Sequence, residues 1–373
     1  MNTNTQFPPR TIAIHSVGLL GGSIGLALMK SGFTGRIIGL SSLANIEKAL
    51  ELGCIDEGYP YDQLENVLQK CDILFLCSPI TVICETIEAL GKHTLPKNLI
   101  ITDVGSTKST IAETAAKTLP NHVHFIGGHP MAGSEKSGPA GSDPYLFQNA
   151  IYVLTPLTPE PEDIDREFAR FLRKYLGCRD IFLKPDIHDI IAGTVSHVPH
   201  LLAVALVNLA QEIENKNPGT MQLAAGGFRD LTRIASAPFK MWHDVFLTNK
   251  KVIGPLLNDC IRTLTVMKEN LDADTLEQSF TAAAETRTKI PIHHKGFITP
   301  LHEILVIAKD QPGVIAAISS TLSGHDINIK DIEVIKIREG EGGTIKLGFE
   351  SDEIAQSAIK VLNARGFSAW ERK

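Results

Sequence analysis

The stretch Thr11-Ile12-Ala13-Ile14-His15-Ser16-Val17-Gly18-Leu19-Leu20-Gly21-Gly22-Ser23 decides how the first half of the chain is read. Thr11–Ile14 is strand-like, the glycines that follow form a turn, and Ser23–Ser31 has helical period. At a strand–helix junction this resolves into the dinucleotide fingerprint G-x-G-x-x-G, with Ser16 in the place of the first glycine. Gly18 lets backbone approach a pyrophosphate, and Gly21 lets the helix pack closely on the strand. The free N–H groups of the helix N-terminus would face the phosphates. Thr11–Met29 carries no Asp, Glu, Lys or Arg, as a membrane span would. Gly18, Gly21, Gly22 and Gly25, with His15, Ser16 and Ser23, fit strand, turn and helix instead, so no membrane partner is expected.

Working outward, apolar runs recur at Arg36–Leu40, Asp72–Ser78, Leu99–Asp103, Val123–Ile126 and Ile151–Thr155. Helix-period segments lie between them at Asn45–Leu52, Thr81–Leu90 and Thr107–Leu119. This alternation predicts an α/β Rossmann-type domain over residues 1–158, a parallel sheet with helices on both faces. The acid expected about 20 residues beyond the glycines is missing: the second strand ends in Ser41-Ser42. A carboxylate there would bond the ribose of NAD and repel a 2′-phosphate. Serines do not repel phosphate, so the sequence admits NADP as well as NAD.

Helical period then dominates at Glu162–Leu176, Ile187–Asn215, Met241–Asn270 and Asp272–Thr288, predicting an all-α domain over 159–290. Pro199 should kink the second of these helices. Residues 291–300 are proline-bounded and aperiodic, and are read as a linker. Residues 301–373 read as βαββαβ, a small ferredoxin-like α+β domain.

The bulk figures agree with this plan. A chain of 373 residues holds two or three domains of ~100–200 residues each. Hydrophobic residues at 43% suffice for a core, and 36 basic against 42 acidic residues give −6, which argues against a nucleic-acid partner. The six cysteines form no C-x-x-C pair and read as reduced thiols of a cytoplasmic protein.

Two loops fall at carboxyl ends of predicted sheet strands, where ligands bind in such sheets. One is Thr102-Asp103-Val104-Gly105-Ser106-Thr107-Lys108; the other is Gly127-Gly128-His129-Pro130-Met131-Ala132-Gly133-Ser134-Glu135-Lys136-Ser137-Gly138. His129, held between glycine and proline and near Ser106, is a candidate acid–base group. The helical region adds His188-Asp189 and Ser196-His197-Val198-Pro199-His200. His197 and His200 lie on one side of a helix, but no third ligand has a metal-site spacing, so no metal is expected. Arg229 and Arg233, in Gly226-Gly227-Phe228-Arg229-Asp230-Leu231-Thr232-Arg233, suit carboxylate recognition or surface ion pairs. Trp242 reads as core.

The strings GLLGGS, TDVGSTK, GGHPMAGSEKSG, SHVPH and GGFRDLTRIA, in this order over roughly residues 10–290, resemble the prephenate dehydrogenase family of tyrosine biosynthesis. Residues 301–373, with the turn Asp310-Gln311-Pro312-Gly313, resemble an ACT regulatory domain. The resemblance implies oxidative decarboxylation of prephenate to 4-hydroxyphenylpyruvate, with NAD or NADP as hydride acceptor. It makes His129 the residue on the substrate's ring hydroxyl, Ser106 the serine that orients it beside the nicotinamide, and Arg233 the carboxylate-binding arginine. His200, His188 and Asp189 match further site positions. Gly18, Leu19, Leu20, Gly21, Ser41 and Ser106 would line the cofactor. The helical domain implies a homodimer. The ACT section implies an amino-acid effector, tyrosine first, held by Asp310, Pro312, Gly313 and Asn328. Arogenate is the rival substrate, and a carboxylate near its amine, Glu135 or Asp189, would favour it. A non-catalytic amino-acid sensor is the rival outside enzymes, with Ser16 as the sign of decay.

Overall fold

The computed structural model describes residues 7–133, 136–271, 274–289, 301–308, 311–338 and 342–372. The chain divides into two compact units, residues 1–273 and 274–373.

The first unit is built on an eight-stranded sheet. Its chain order is β1 (Thr11–His15), α1 (Leu19–Lys30), β2 (Arg36–Leu40), α2 (Leu43–Glu51), β3 (Glu57–Tyr59), α3 (Leu64–Leu68), β4 (Ile73–Leu76), α4 (Ile80–Leu90), β5 (Ile100–Asp103), α5 (Ser109–Thr118), β6 (His124–Pro130), β7 (Ile151–Pro156), α6 (Asp163–Leu176) and β8 (Arg179–Phe182). The spatial order is β3-β2-β1-β4-β5-β6-β7-β8. Successive side chains enter opposite cores, as the strand period requires. Ile12, Ile14, Ile73 and Phe75 join one cluster, and Ala13, Leu74 and Leu76 the other.

Three features differ from the sequence reading. First, β7 runs antiparallel to β6, with Pro130 opposite Tyr152. The 131–150 excursion begins and ends at the same edge of the sheet, so no crossover forms. Second, the sheet domain does not stop at residue 158. Phe168, Phe171, Leu172, Tyr175 and Leu176 of α6 sit in the first core, and β8 pairs parallel to β7. Each such side chain contributes roughly 1.5–3 kcal/mol by leaving water, which ties α6 to the sheet. The strongly amphipathic pattern of α6 fits a sheet-covering helix as well as a bundle helix, so period alone does not place it. Third, β3 is too short to stand out by period, and β8, Arg179-Asp180-Ile181-Phe182 with no buried side chain, has no apolar run.

The helices α7 (Pro185–Ala192) and α8 (Val198–Lys216) are joined by a π-helical turn, Gly193–His197. The irregularity at the expected kink therefore precedes Pro199, where the ladder loses the proline's N–H. One helix over 185–216 is long and apolar enough to cross a membrane by length and composition. It carries the site residues described below. α9 (Gly226–Thr232) leads into a 3-10 turn, Arg233–Ser236. The helix expected over 241–270 is two, α10 (Phe239–Thr248) and α11 (Lys250–Glu269), broken at Asn249.

The second unit contains α12 (Asp274–Lys289), β9 (His302–Ala308), α13 (Val314–Ser323), β10 (Asp331–Arg338), β11 (Gly342–Phe349), α14 (Asp352–Ala364) and β12 (Ser368–Glu371). Its antiparallel order β10-β11-β9-β12 is the expected ferredoxin-like arrangement. The 291–300 linker lies outside the described residues. All six cysteines are free.

Candidate active site

The glycine turn fits a dinucleotide. Nothing lies within 4 Å of where a Cβ on Gly18 would project, so backbone there is open to an approaching ligand. A Cβ on Gly21 would fall 2.5 Å from the Ser16 carbonyl oxygen and 2.9 Å from Ile14, which is the close helix–strand packing the fingerprint requires. α1 has no side-chain cap and no acid in its first turn, so its leading N–H groups remain available to phosphate. Ser142 lies over this turn, its Oγ 3.4 Å from the carbonyl oxygens of Gly18 and Leu19. Ser16 takes the left-handed φ of 71°, the conformation the missing glycine would have supplied. Ser41 follows β2 and is buried.

The loops after β5 and β6 meet the start of α7. His129 Nδ1 lies 2.8 Å from His188 Nε2, and His188 Nδ1 lies 2.9 Å from Asp189 Oδ1. The Asp189 carboxylate also accepts from the Lys108 amide at 2.7 Å and the Ser109 amide at 2.9 Å. Burial opposes its charge, but the bonds from His188, Ser109 and Lys108 outweigh burial and hold its carboxyl below the usual range. An ionised Asp189 accepts only, which fixes the rest. In the tautomers that satisfy both bonds with neutral rings, His188 donates through Nδ1 and accepts at Nε2, and His129 donates through Nδ1. Neutral His129 is left with an unprotonated Nε2, the lone pair a general base needs. Burial first, then the neighbours His188, Lys108 and His197, hold the His129 pKa well below the ordinary value, so the ring is neutral at pH 7.

A buried ion pair supports this relay. Lys108 and Asp103 are wholly inaccessible, and Lys108 Nζ donates to Asp103 Oδ2. It also donates to the Gly128 carbonyl at 2.6 Å. Asp103 accepts from the amides of Gly105 at 2.8 Å and Gly128 at 3.1 Å. Both backbone polar groups of the residue before His129 are thus fixed. Lys108 holds the relay at two points, Asp189 through its amide and Gly128 through its ammonium.

Deeper in the helical region, His200 is buried and stacks on Trp242 at 3.8 Å between centroids, with no hydrogen-bond partner for its Nδ1. His197 Nδ1 accepts from Asn249 at 3.1 Å, and burial lowers its pKa to about 4. Asn249 also donates to the Asp189 carbonyl at 2.9 Å.

The structure therefore brings His129, His188 and Asp189 together. Ser106 is half-buried in the loop after β5, and among the described residues no hydrogen bond joins it to His129, whose Nδ1 meets His188 Nε2. Arg233 is exposed on its 3-10 turn, with no bond to the relay among the described residues. Pro312, Gly313 and Asn328 are exposed, and Gly313 caps α13 with a φ of 86°. Asp310 and Glu135 lie outside the described residues. The sequence reading did not single out Lys108, Asp103 or Asn249; it took Trp242 for core, and that ring packs against the second core cluster while also stacking on His200. The signal for the first two was present, since an acid and a base five residues apart close a predicted buried strand.

Comparison with known proteins places this geometry. Residues 24–176 match the nucleotide-binding domain of prephenate dehydrogenase, 184–283 its dimerization domain, and 302–360 the ACT domain. The chain is 35% identical over 362 residues to a prephenate dehydrogenase of Bacillus subtilis, covering 95% of this chain and 96% of that one. It is 34% identical over 359 residues to that of Lactococcus lactis, covering 95% and 97%. Among solved structures, prephenate dehydrogenase from Aquifex aeolicus, in complex with hydroxyphenyl propionate and NAD+, aligns with a TM-score of 0.66 at 31% identity, over 75% of this chain and 96% of that one. Synechocystis arogenate dehydrogenase aligns with a TM-score of 0.65 at 30% identity, over 75% and 100%. With its fingerprint loop, its relay and its full-length relatives in agreement, the chain belongs to the prephenate dehydrogenase family.

Proposed function

We propose that this NAD(P)-dependent oxidoreductase converts prephenate to 4-hydroxyphenylpyruvate and CO2, with His129 as the acid–base residue. The observation that carries the reading is the Asp189–His188–His129 relay, whose tautomers leave His129 Nε2 unprotonated. His129 takes the proton of the ring hydroxyl while a hydride leaves the same carbon. Gly18, Gly21 and the N-terminus of α1 would hold NAD(P), which would supply the hydride acceptor. Cleavage of the ring carboxylate then releases CO2, its electron pair aromatises the ring, and His129 returns the proton to the phenolic oxygen. Asp189 stabilises the imidazolium through His188 without itself being protonated. Arg233 and His200 are assigned to the substrate's carboxylates, and Ser106 to the nicotinamide side.

The keto substrate is favoured over arogenate by the state of Asp189. It is buried, and both its oxygens are engaged by Lys108, Ser109 and His188, so it is not free to hold an ammonium group. Initial rates with prephenate and with arogenate, each with NAD and NADP, test the assignment. Reduction with prephenate is expected. Activity confined to arogenate would reverse the substrate, and no reduction with either would point to the sensor. Addition of L-tyrosine to the same assay reads the proposed feedback through Pro312, Gly313, Asn328 and the Asp310 turn.

We assign the homodimer to the helical region. Leu206, Leu209 and Ile213 of α8, and Ile261, Leu264 and Val266 of α11, are exposed in the single chain. Apolar area of this kind on a soluble monomer is unusual, and a second copy would cover it. Light scattering should give the mass of two chains, and Leu209→Arg with Leu264→Arg should shift it towards one. A monomeric wild type would overturn the assignment.

A further inference from the structure

Asn249 stands at the break between α10 and α11 and is buried. Its carbonyl accepts from the amides of Val252 at 3.1 Å and Ile253 at 2.9 Å, so its backbone starts α11. An asparagine in this place ordinarily turns its side-chain oxygen to the amides of the helix it starts. This one makes no such bond. Its side chain reaches across to α7 and the π-helical turn, where Nδ2 lies 2.9 Å from the Asp189 carbonyl oxygen and 3.1 Å from His197 Nδ1. The Asp189 carbonyl has room for it. That oxygen has two lone pairs, and the Gly193 amide, shared with the Ile190 carbonyl, takes at most one.

We infer that Asn249 is a positioning residue of the reaction: a single amide nitrogen fixes the main chain of Asp189 and holds His197 as a hydrogen-bond donor beside the relay. The inference rests on the reading of His129 as the acid–base group. A carbonyl oxygen only accepts, so the Asn249 atom facing Asp189 is the nitrogen and not the amide oxygen. The second hydrogen of that nitrogen serves His197 Nδ1, which must then be unprotonated. A neutral His197 therefore carries its proton on Nε2. The ring is neutral at pH 7, because burial lowers its pKa to about 4, with Asp189 opposing the shift and His188 adding to it. Among the described residues that Nε2–H makes no hydrogen bond. His197 is near enough to His129 to depress its pKa, and its ring meets Trp242 edge-on at 6.1 Å. The site thus holds two uncommitted imidazole nitrogens of opposite kind, an acceptor at His129 Nε2 and a donor at His197 Nε2. Carboxylate oxygens only accept, so His197 can serve a dianionic substrate only in this tautomer.

The double duty accounts for the residue type. Aspartate, serine and threonine also start helices well. Aspartate has no hydrogen to give, and a hydroxyl has one. Asparagine alone among them carries two hydrogens on one atom, which is what the Asp189 carbonyl and His197 Nδ1 together require.

The test has two parts. On wild type, two-bond 1H–15N NMR correlations of the histidine rings read the tautomer at pH 7, with His197 assigned by its absence from His197→Gln. A proton on Nε2 alone is expected, and a proton on Nδ1 would overturn the inference. On Asn249→Asp, kcat/KM for prephenate is followed against pH on both sides of neutrality, beside wild type. Loss of two neutral hydrogen bonds should lower it by about 5- to 100-fold, with the KM for the cofactor unchanged. The introduced carboxylate raises the His197 pKa, against the other titratable groups that act on that ring, Asp189, His188 and His129. Protonated His197 regains its Nε2–H, so the deficit should narrow at low pH and widen as pH rises through that pKa. A deficit equal at every pH would reduce Asn249 to a structural part, and no deficit would remove it from the reaction. A wild type that turns over no prephenate, with His197 in the expected tautomer, would refute the catalytic reading and still support the hold of Asn249 on His197.

Discussion

Replacement of His129 by alanine is expected to lower kcat with prephenate by about 10²- to 10⁴-fold, the range for loss of a general acid–base residue. The relay is the reason for an effect of this size. His129 keeps an acceptor that the relay does not use, its Nε2, whereas His188 Nε2 and the Asp189 carboxylate are spent within the relay. The KM for the cofactor should hold, because the glycine turn is untouched. The pH profile supplies a second reading. Protonation of His129 removes the base, so activity falls as pH drops through its pKa. Burial and the neighbouring His188, Lys108 and His197 place that pKa well below the ordinary value. The acid limb of kcat/KM should therefore lie below the usual histidine pKa of ~6.5. Near-normal turnover of His129→Ala would remove it from the mechanism, and a limb at or above ~6.5 would contradict its neutral, partly buried state.

The parts of this site that were legible in the sequence are those with strong local cause. Gly21 is forced by steric need, Gly18 marks the fingerprint turn, and His129 stands out between glycine and proline at a strand end. The fold was legible for the same reason, since strands buried on both faces and amphipathic helices differ in period. What sequence alone missed depends on contacts between distant segments. Nothing local shows that His188 Nε2 meets His129 Nδ1 across 59 residues. Nor does anything local show that the Tyr61 hydroxyl, 45 residues from Ser16, meets the Ser16 hydroxyl. The boundary at 158 failed because a helix's period does not reveal which surface it covers. Resemblance gave Ser106 the orienting bond to His129; among the described residues the bond seen at His129 Nδ1 is to His188.

Lys108→Met should destabilise the protein by roughly 3–5 kcal/mol, the usual cost of removing one partner from a buried pair. Asp103 would keep its bonds from the Gly105 and Gly128 amides but lose the ammonium that pairs with it, at a site with no access to water. Against a total stability of ~5–15 kcal/mol this is a large fraction, and the melting temperature should fall by on the order of 10 °C. A second consequence is separable from the first. Lys108 Nζ is a hydrogen-bond donor to the Gly128 carbonyl, next to His129, so its loss frees the loop that carries the base. Combining Asp103→Asn with Lys108→Met removes both charges and should restore much of the melting temperature, because no buried charge is left unpaired. It should not restore kcat, because the Gly128 carbonyl still lacks its donor. A single variant that melts with wild type would show that the pair contributes nothing to stability. A double variant with full kcat would show that Lys108 balances Asp103 and does not position His129.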